Sequence, residues 1–139
     1  MFRNVSLEDL NKMAENTLFS HLQINITEVG EDHVEAVMPV GPQVHQPMGF
    51  LHGGATLALA ESVGSIASFL LVDPEAYHVF GMEINANHIR SMKEGQLRAR
   101  AEIIHKGKTS HVWDIRAYDE EDRLISIIRM TNAVVHVRK

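Results

Sequence analysis

The sequence predicts an α+β fold in which an antiparallel sheet of about six strands wraps one long central helix. Three observations support this prediction. A single apolar segment, at about 54–72, is longer than an average strand. Segments in which apolar and polar residues alternate lie on both sides of it, as in half-buried strands. The last four of these segments are separated only by short polar turns, and such turns join antiparallel strands.

The N-terminal part of the chain predicts a short amphipathic helix followed by a β-hairpin. Ser6 followed by Asp9 is typical of a helix N-cap. Apolar residues then follow at near-helical spacing: Leu7, Leu10, Met13, Ala14 and Leu18. Alternation predicts a strand over 22–26 and another over 34–40, joined by a polar turn at 30–32.

The centre of the chain predicts a loop and then the long helix. Residues 41–49 include two prolines and two glycines, which favour a loop. The apolar segment that follows ends at Pro74, a natural stop for a helix. The twenty residues 53–72 have about the length of a membrane span, but Glu61 near their middle would be costly in lipid. A helix covered by a sheet is therefore the favoured interpretation.

Four further strands are predicted after the helix, at about 77–90, 96–106, 109–118 and 123–137. Hairpin turns are predicted between them, at 93–95, 106–108 and 119–122. No repeat, linker or low-complexity segment interrupts the chain, so residues 1–139 are expected to form one domain. A single sheet on one helix leaves its edges exposed, which predicts oligomerisation.

Composition excludes several classes of function. The formal net charge is −5 and no long basic run occurs, which disfavours a nucleic-acid partner. There is no cysteine, so disulfides, thiolate catalysis and thiolate metal sites are excluded. His45 and His52 are seven residues apart, which matches no compact metal site, and no metal is expected. The N-terminus lacks the basic and apolar segments of a secretory signal, so a cytoplasmic protein without a membrane partner is expected.

Two features of the long helix are candidates for a binding or catalytic role. Gly53 and Gly54 come directly before it, where unpaired N–H groups suit a phosphate or an oxyanion, although a sharp turn would also explain them. Glu61 lies two turns in, with Ser65 on the same face and Ser68 three residues further on. Either an ion pair or a cavity that uses the carboxylate would explain this charge, and the residues alone leave both open.

Two blocks of the sequence resemble the hotdog-fold acyl-CoA thioesterases. The first is Gln46-Pro47-x-Gly49-x-Leu51-His52-Gly53-Gly54, followed by Leu59-Ala60-Glu61-Ser62. The second is Gly81-Met82-Glu83-Ile84-Asn85-Ala86-Asn87-His88-Ile89-Arg90. The similarity covers essentially the whole chain. It is greatest to the branch that includes 1,4-dihydroxy-2-naphthoyl-CoA hydrolases, the proofreading thioesterases of aryl carrier proteins and 4-hydroxybenzoyl-CoA thioesterases.

The resemblance implies a hotdog fold and hydrolysis of an acyl-CoA thioester, with an aromatic acyl group, to the free acid and coenzyme A. Glu61 would be the nucleophile or the general base that activates water, and the family does not decide between them. The N–H groups near Gly53 and Gly54 would polarise the thioester carbonyl. Three polar side chains would position the thioester, the water or the carboxylate: Gln46, His52 and Ser65.

The resemblance also implies two places that bind coenzyme A, whose phosphates need cations and donors. The first lies along one strand and its end: Gly81, His88, Ile89, Arg90 and Ser91. The second is a tight turn: His105, Lys106, Gly107, Lys108, Thr109 and Ser110. Solvated turn charges are the ordinary alternative for such residues. No cofactor is implied, because coenzyme A is part of the substrate.

In this family two subunits pair edge to edge and each site contains groups from both. A homodimer is therefore implied, and a homotetramer made of two dimers is expected. Met48 stands where relatives often carry Phe, which would reshape the acyl pocket. Two alternatives stay open: a thioesterase that acts on acyl groups of a carrier protein, and a non-catalytic acyl-CoA-binding hotdog domain. The cost of keeping a carboxylate on an apolar helix disfavours the second alternative.

Overall fold

A computed structural model describes residues 1–138 and has the predicted α+β architecture. Its helices are α1 (Leu7–Met13), α2 (Leu18–His21) and α3 (Gly53–Phe69). Its strands are β1 (Asn25–Val29), β2 (His33–Val40), β3 (Tyr77–His88), β4 (Gly95–Lys106), β5 (Ser110–Tyr118) and β6 (Leu124–His136). The strands form one sheet in the order β1-β2-β4-β5-β6-β3, and every neighbouring pair is antiparallel. The predicted six-stranded antiparallel sheet around one long helix is confirmed.

The helix α3 forms the centre of the core because strands β2 to β6 pack against it. The strands supply every second residue, and β2 alternates between half-buried and fully buried positions along its whole length. Full burial of an aliphatic side chain such as Leu59 contributes about 1.5–3 kcal/mol. None of the helices within residues 1–138 has the length and hydropathy to cross a bilayer.

The N-terminal helix is shorter than its apolar spacing predicts. Ser6 caps α1 as expected, and its Oγ accepts a hydrogen bond from the Asp9 N–H at 3.1 Å. The helix ends at Met13 and does not continue to Leu18. Asn16 adopts a φ of 61°, in the left-handed region, and this breaks the helix. Leu18 instead begins the separate short helix α2.

Two further boundaries differ from the prediction. The strand predicted from residue 22 begins only at Asn25, because Gln23 also adopts a left-handed φ, of 56°. The helix α3 ends at Phe69, three residues before the predicted end, and Leu70 is its C-cap. Neither shift moves a residue of the predicted site out of its element.

The strand β3 forms one edge of the sheet, so one side of its backbone has no partner strand within the described residues. It is twelve residues long, and its side chains Phe80 and Met82 are 56% and 63% exposed. Natural proteins rarely leave a long apolar edge uncovered, because it would pair with other chains. Within the described residues, this edge is therefore open to pairing with a strand of another chain.

Candidate active site

The start of α3 presents one free backbone donor. His52 is the N-cap, and its Nδ1 accepts a hydrogen bond from the Gly54 N–H at 2.8 Å. The N–H groups of Ala55 and Thr56 donate to the His52 carbonyl at 3.0 and 3.3 Å. The Gly53 N–H has no acceptor within residues 1–138. It is therefore the donor that the positive end of the helix offers to a ligand oxygen.

The cap fixes the tautomer of His52. Because Nδ1 accepts the Gly54 N–H, the proton of the neutral imidazole lies on Nε2. The ring therefore caps the helix with one nitrogen and presents a hydrogen-bond donor with the other.

Both glycines are required by histidine rings that pack against them. A Cβ on Gly53 would lie 2.6 Å from His88 Nε2, and a Cβ on Gly54 would lie 2.8 Å from His52 Cε1. His88 is held in place by the buried Ser126, whose Oγ lies 2.8 Å from His88 Nδ1. Close packing thus explains the glycine pair, and it leaves the Gly53 N–H accessible. Ser126 was not predicted as part of the site, because it reads as an ordinary strand position.

Gln46 lies in a loop that fixes the orientation of its side-chain amide. The oxygen Oε1 accepts the N–H groups of Met48 and Phe50 at 2.5 and 3.5 Å. The two N–H bonds of the amide nitrogen therefore point away from the loop as donors. The loop is itself anchored, because His45 Nε2 lies 2.6 Å from the Lys93 carbonyl oxygen.

Gln46 and Gly53 line a cavity of about 340 Å³, whose wall does not include His52. Its wall contains both predicted catalytic residues and predicted coenzyme A residues: Gln46, Gly53, His88, Ile89, Arg90 and Ser91. The side chains of Met48 and Phe50 add apolar surface to the same wall. The arrangement can therefore hold a polar carbonyl next to an apolar group.

Glu61 is exposed on α3 and has no ion-pair partner within residues 1–138. Its Oε2 rests against the edge strand, where a Cβ on Gly81 would lie only 3.1 Å away. The carboxylate faces a second cavity, of about 460 Å³, lined by Gly54, Ser65 and apolar side chains. Within residues 1–138 no ion pair holds Glu61, and in one protomer its carboxylate is exposed to solvent on the wall of this cavity. Glu61 and Gly53 are about 12 Å apart along the helix axis, at 1.5 Å per residue.

The two serines that follow Glu61 on the helix have different environments. Ser65 lines the cavity that Glu61 faces. Ser68 is fully buried, and its Oγ is bonded to side chains of β5 and β6: His111, Trp113 and Asn132. The predicted polar stripe therefore divides, with Ser65 at the candidate site and Ser68 in the core. The curvature of the sheet, which the sequence does not show, covers the second half of the helix.

The second predicted coenzyme A place lies at the other end of the protomer. The turn after β4 is closed by a hydrogen bond from the Gly107 N–H to the Ser110 carbonyl at 2.8 Å. A Cβ on Gly107 would lie 2.7 Å from His105 Nε2. The turn opens on a cavity of about 700 Å³ lined by Lys106, Gly107, Lys108 and Thr109, together with Tyr77 and His111.

Tyr77 begins β3 and His88 ends it, so the two predicted coenzyme A places are separated by the length of that strand. At about 3.3 Å per residue, the strand spans roughly 35 Å. One protomer therefore does not bring the two places together.

One group of side chains has the composition of a metal site: Glu28, His33 and Glu35. Its geometry instead fits ion pairing. Glu35 lies 3.0 Å from Arg98 Nη1 and 3.3 Å from Arg100 Nη1, and His33 bonds to the Glu28 carboxylate at 3.0 Å. Two arginines beside a carboxylate compete with a cation for its oxygens.

A long helix wrapped by a six-stranded antiparallel sheet is the architecture of the hotdog-fold thioesterases. The sequence model of the Thioesterase superfamily matches residues 48–126. The chain belongs to this superfamily and is a thioester hydrolase.

Two relatives and one solved structure show where the chain falls in the superfamily. It is 44% identical to the 1,4-dihydroxy-2-naphthoyl-CoA hydrolase of Escherichia coli, over 96% of this chain and 97% of that protein. It is 43% identical to the proofreading thioesterase EntH of Cronobacter turicensis, over 96% of both chains. The crystal structure of a glutamine-to-alanine mutant of a Pseudomonas aeruginosa thioesterase superimposes with a TM-score of 0.96, at 42% identity, over 98% of this chain and 99% of that chain.

Proposed function

We propose that the protein hydrolyses an aromatic acyl-CoA to the free acid and coenzyme A, in a site formed by two copies of the chain. The observation that carries this proposal is the carboxylate of Glu61, which lines a cavity and has no ion-pair partner within residues 1–138. A carboxylate in this state is available to react or to accept a proton. The unpaired Gly53 N–H is the matching group for a thioester carbonyl oxygen.

The separation of these two groups is the argument for a second copy. Reacting atoms must approach to about 3–3.5 Å. The Glu61 carboxylate and the Gly53 N–H are too far apart along one helix to act on one carbonyl. Glu61 would therefore act on a carbonyl that is held by Gly53 of the partner subunit.

The unpaired edge of β3 supplies a geometry for that pairing. An antiparallel contact between two such edges would place the His88 end of one strand beside the Tyr77 end of the other. The His88–Ser91 region of one copy would then approach the Lys106–Ser110 turn of the other. This arrangement would unite the two predicted coenzyme A places, which lie far apart in one protomer.

The donors of the first cavity would act on the thioester carbonyl. The Gly53 N–H would bind the oxygen that becomes negative, and the side-chain amide of Gln46, in the same cavity wall, would add a donor beside it. The Nε2–H of His52, which does not line this cavity, would position the attacking water. As nucleophile, Glu61 would form a mixed anhydride while the C–S bond breaks and the thiolate leaves, and water would then hydrolyse the anhydride. As general base, Glu61 would take a proton from the attacking water and pass it to the leaving thiolate.

The name of one relative supports an aromatic acyl group. One acts, by its name, on 1,4-dihydroxy-2-naphthoyl-CoA, and the other is a proofreading thioesterase. The first supports coenzyme A as the carrier of the acyl group. The alternative, in which the acyl group is bound to a carrier protein, would use the same chemistry at Glu61.

Steady-state hydrolysis by three variants tests the proposal. The substrates are aromatic, short-chain and long-chain acyl-CoAs and an aryl thioester of a carrier protein. Glu61→Ala should lower kcat by at least about 100-fold, the usual contribution of a general base. Glu61→Gln tests the charge at nearly constant shape, and Glu75→Gln, at an exposed loop glutamate, is the matched control. Unchanged turnover in Glu61→Ala would refute the proposal, and a higher kcat/KM on the carrier-bound thioester would favour the alternative.

A further inference from the structure

A buried cluster of four polar side chains lies behind the candidate site, and its hydrogen bonds determine each member's proton positions. Ser68 Oγ accepts Trp113 Nε1–H at 2.8 Å and Asn132 Nδ2–H at 2.8 Å. Both oxygen lone pairs are then used, so the Ser68 hydroxyl proton donates to His111 Nδ1 at 2.9 Å. His111 is consequently neutral. Burial, followed by the charges of Lys106 and His105, lowers the pKa of His111, which agrees with this assignment.

Asn132 differs from the other members because it also contacts the helix backbone. Its Nδ2 donates to the Gly64 carbonyl oxygen at 3.2 Å, one turn after Glu61. That carbonyl already serves the helix ladder, so the bond adds nothing to the helix itself. Its effect is to tie this turn of α3 to the strand β6.

The hydrogen bond from Asn132 to the Gly64 carbonyl holds the helix close to the sheet beside Glu61. A Cβ on Gly64 would lie 2.7 Å from Met130 Sδ. A Cβ on Gly81 would lie 3.3 Å from Met130 Cε and 3.1 Å from Glu61 Oε2. Asn132 is the register partner of Gly81 across β3 and β6. The distance between helix and sheet at Asn132 therefore sets where the Glu61 carboxylate rests.

We propose that Asn132 is a positioning residue for Glu61, because its amide holds the Gly64 turn against β6 and thereby sets the carboxylate on Gly81. The inference rests on the proposed role of Glu61. Asn132 does not touch the substrate cavities, and it acts through the helix. Reaction rates are sensitive to such placement, since a misplacement of about 1 Å costs roughly 100-fold.

The variant Asn132→Leu tests the positioning role with little change of shape. It removes both donors, and it also removes Asn132 Oδ1, a buried oxygen without a partner within residues 1–138. A buried acceptor without a partner carries a desolvation penalty. Removal of this penalty offsets part of the stability lost with the two hydrogen bonds, so the variant is expected to fold. Asn132→Ala is the second variant, should the leucine side chain prevent folding. The matched control is Trp113→Phe, which removes the other donor to Ser68 and leaves the bond to Gly64 intact.

We expect Asn132→Leu to lower kcat by about ten-fold or more, as a shift of several tenths of an ångström would, with KM within about two-fold. Trp113→Phe should lower the melting temperature while kcat stays within about two-fold. In a Glu61→Ala background, Asn132→Leu should not lower the residual rate further, because the placed group is absent.

Equal kcat losses in the two variants, or a loss in Asn132→Leu that persists without Glu61, would overturn the inference and leave only a structural role. The same would follow from a kcat of Asn132→Leu within two-fold of the unmodified protein. These outcomes are distinct from failure of the proposed function, in which Glu61→Ala itself retains turnover.

Discussion

Replacement of Gly81 by alanine would displace the Glu61 carboxylate by a small and calculable amount. The new Cβ would stand 3.1 Å from Glu61 Oε2, 3.2 Å from Glu61 Cδ and 3.3 Å from Met130 Cε. Carbon and oxygen atoms normally pack at about 3.5–4.0 Å. Glu61 must therefore move by a few tenths of an ångström, because the opposite side of the contact is occupied by Met130.

The expected catalytic cost follows from this displacement. If a misplacement of about 1 Å lowers kcat roughly 100-fold, a misplacement of about 0.5 Å should lower kcat about ten-fold. The fold should survive, because Gly81 lies on an edge strand and its φ is not in the left-handed region. The assay is steady-state hydrolysis of an aromatic acyl-CoA, with the melting temperature measured in parallel. Glu83→Ala, on the same strand, is the control, and an unchanged kcat in Gly81→Ala would refute the assigned position of the carboxylate.

Two further perturbations test other contacts. Gly53→Ala should lower kcat by about ten-fold or more, since the new Cβ would meet His88 Nε2 at 2.6 Å and disturb the donor at the helix start; a kcat within two-fold would contradict this. Burial lowers the pKa of His33, hydrogen bonds to Asp32 and Glu28 raise it, and the net shift is upward. The stability that protonated His33 contributes to the folded protein is therefore complete below its unfolded pKa of about 6.5. This contribution is lost as the pH rises through the pKa of His33 in the folded protein. Urea unfolding should show His33→Gln destabilised at pH 6 and the difference shrinking by pH 9; a constant difference would contradict this.

The fold was predicted well from strand alternation and helix capping, because both patterns depend only on residues that are close together in the chain. The alternation in β2 reports burial on one face, and Ser6 caps α1 through a residue three positions away. The predicted end of the first helix was wrong at Asn16, and the predicted start of the first strand was wrong at Gln23; both residues adopt a left-handed backbone. The surrounding turns set those conformations, and no apolar spacing encodes them.

The candidate site was less predictable because its parts meet through tertiary contacts. Gln46 and His52 were predicted from the family resemblance and Gly53 from its place before the helix, and the structure adds which of their atoms are hydrogen-bonded within residues 1–138. The difference between Ser65 and Ser68 depends on the curvature of the sheet over α3. Asn132 had no signal in the sequence, because a polar residue on a strand usually faces solvent.

The central claim, a site shared by two copies, is tested most directly by mixing two inactive variants. Glu61→Ala and Gln46→Ala are each prepared, mixed in equal amounts, and allowed to exchange subunits. Random pairing makes half of the dimers mixed, and each mixed dimer has one site with both groups intact. If each site is shared by two copies, the mixture should recover about a quarter of the unmodified activity. Activity that stays at the sum of the separate variants, while subunit exchange is verified by mass spectrometry, would contradict it.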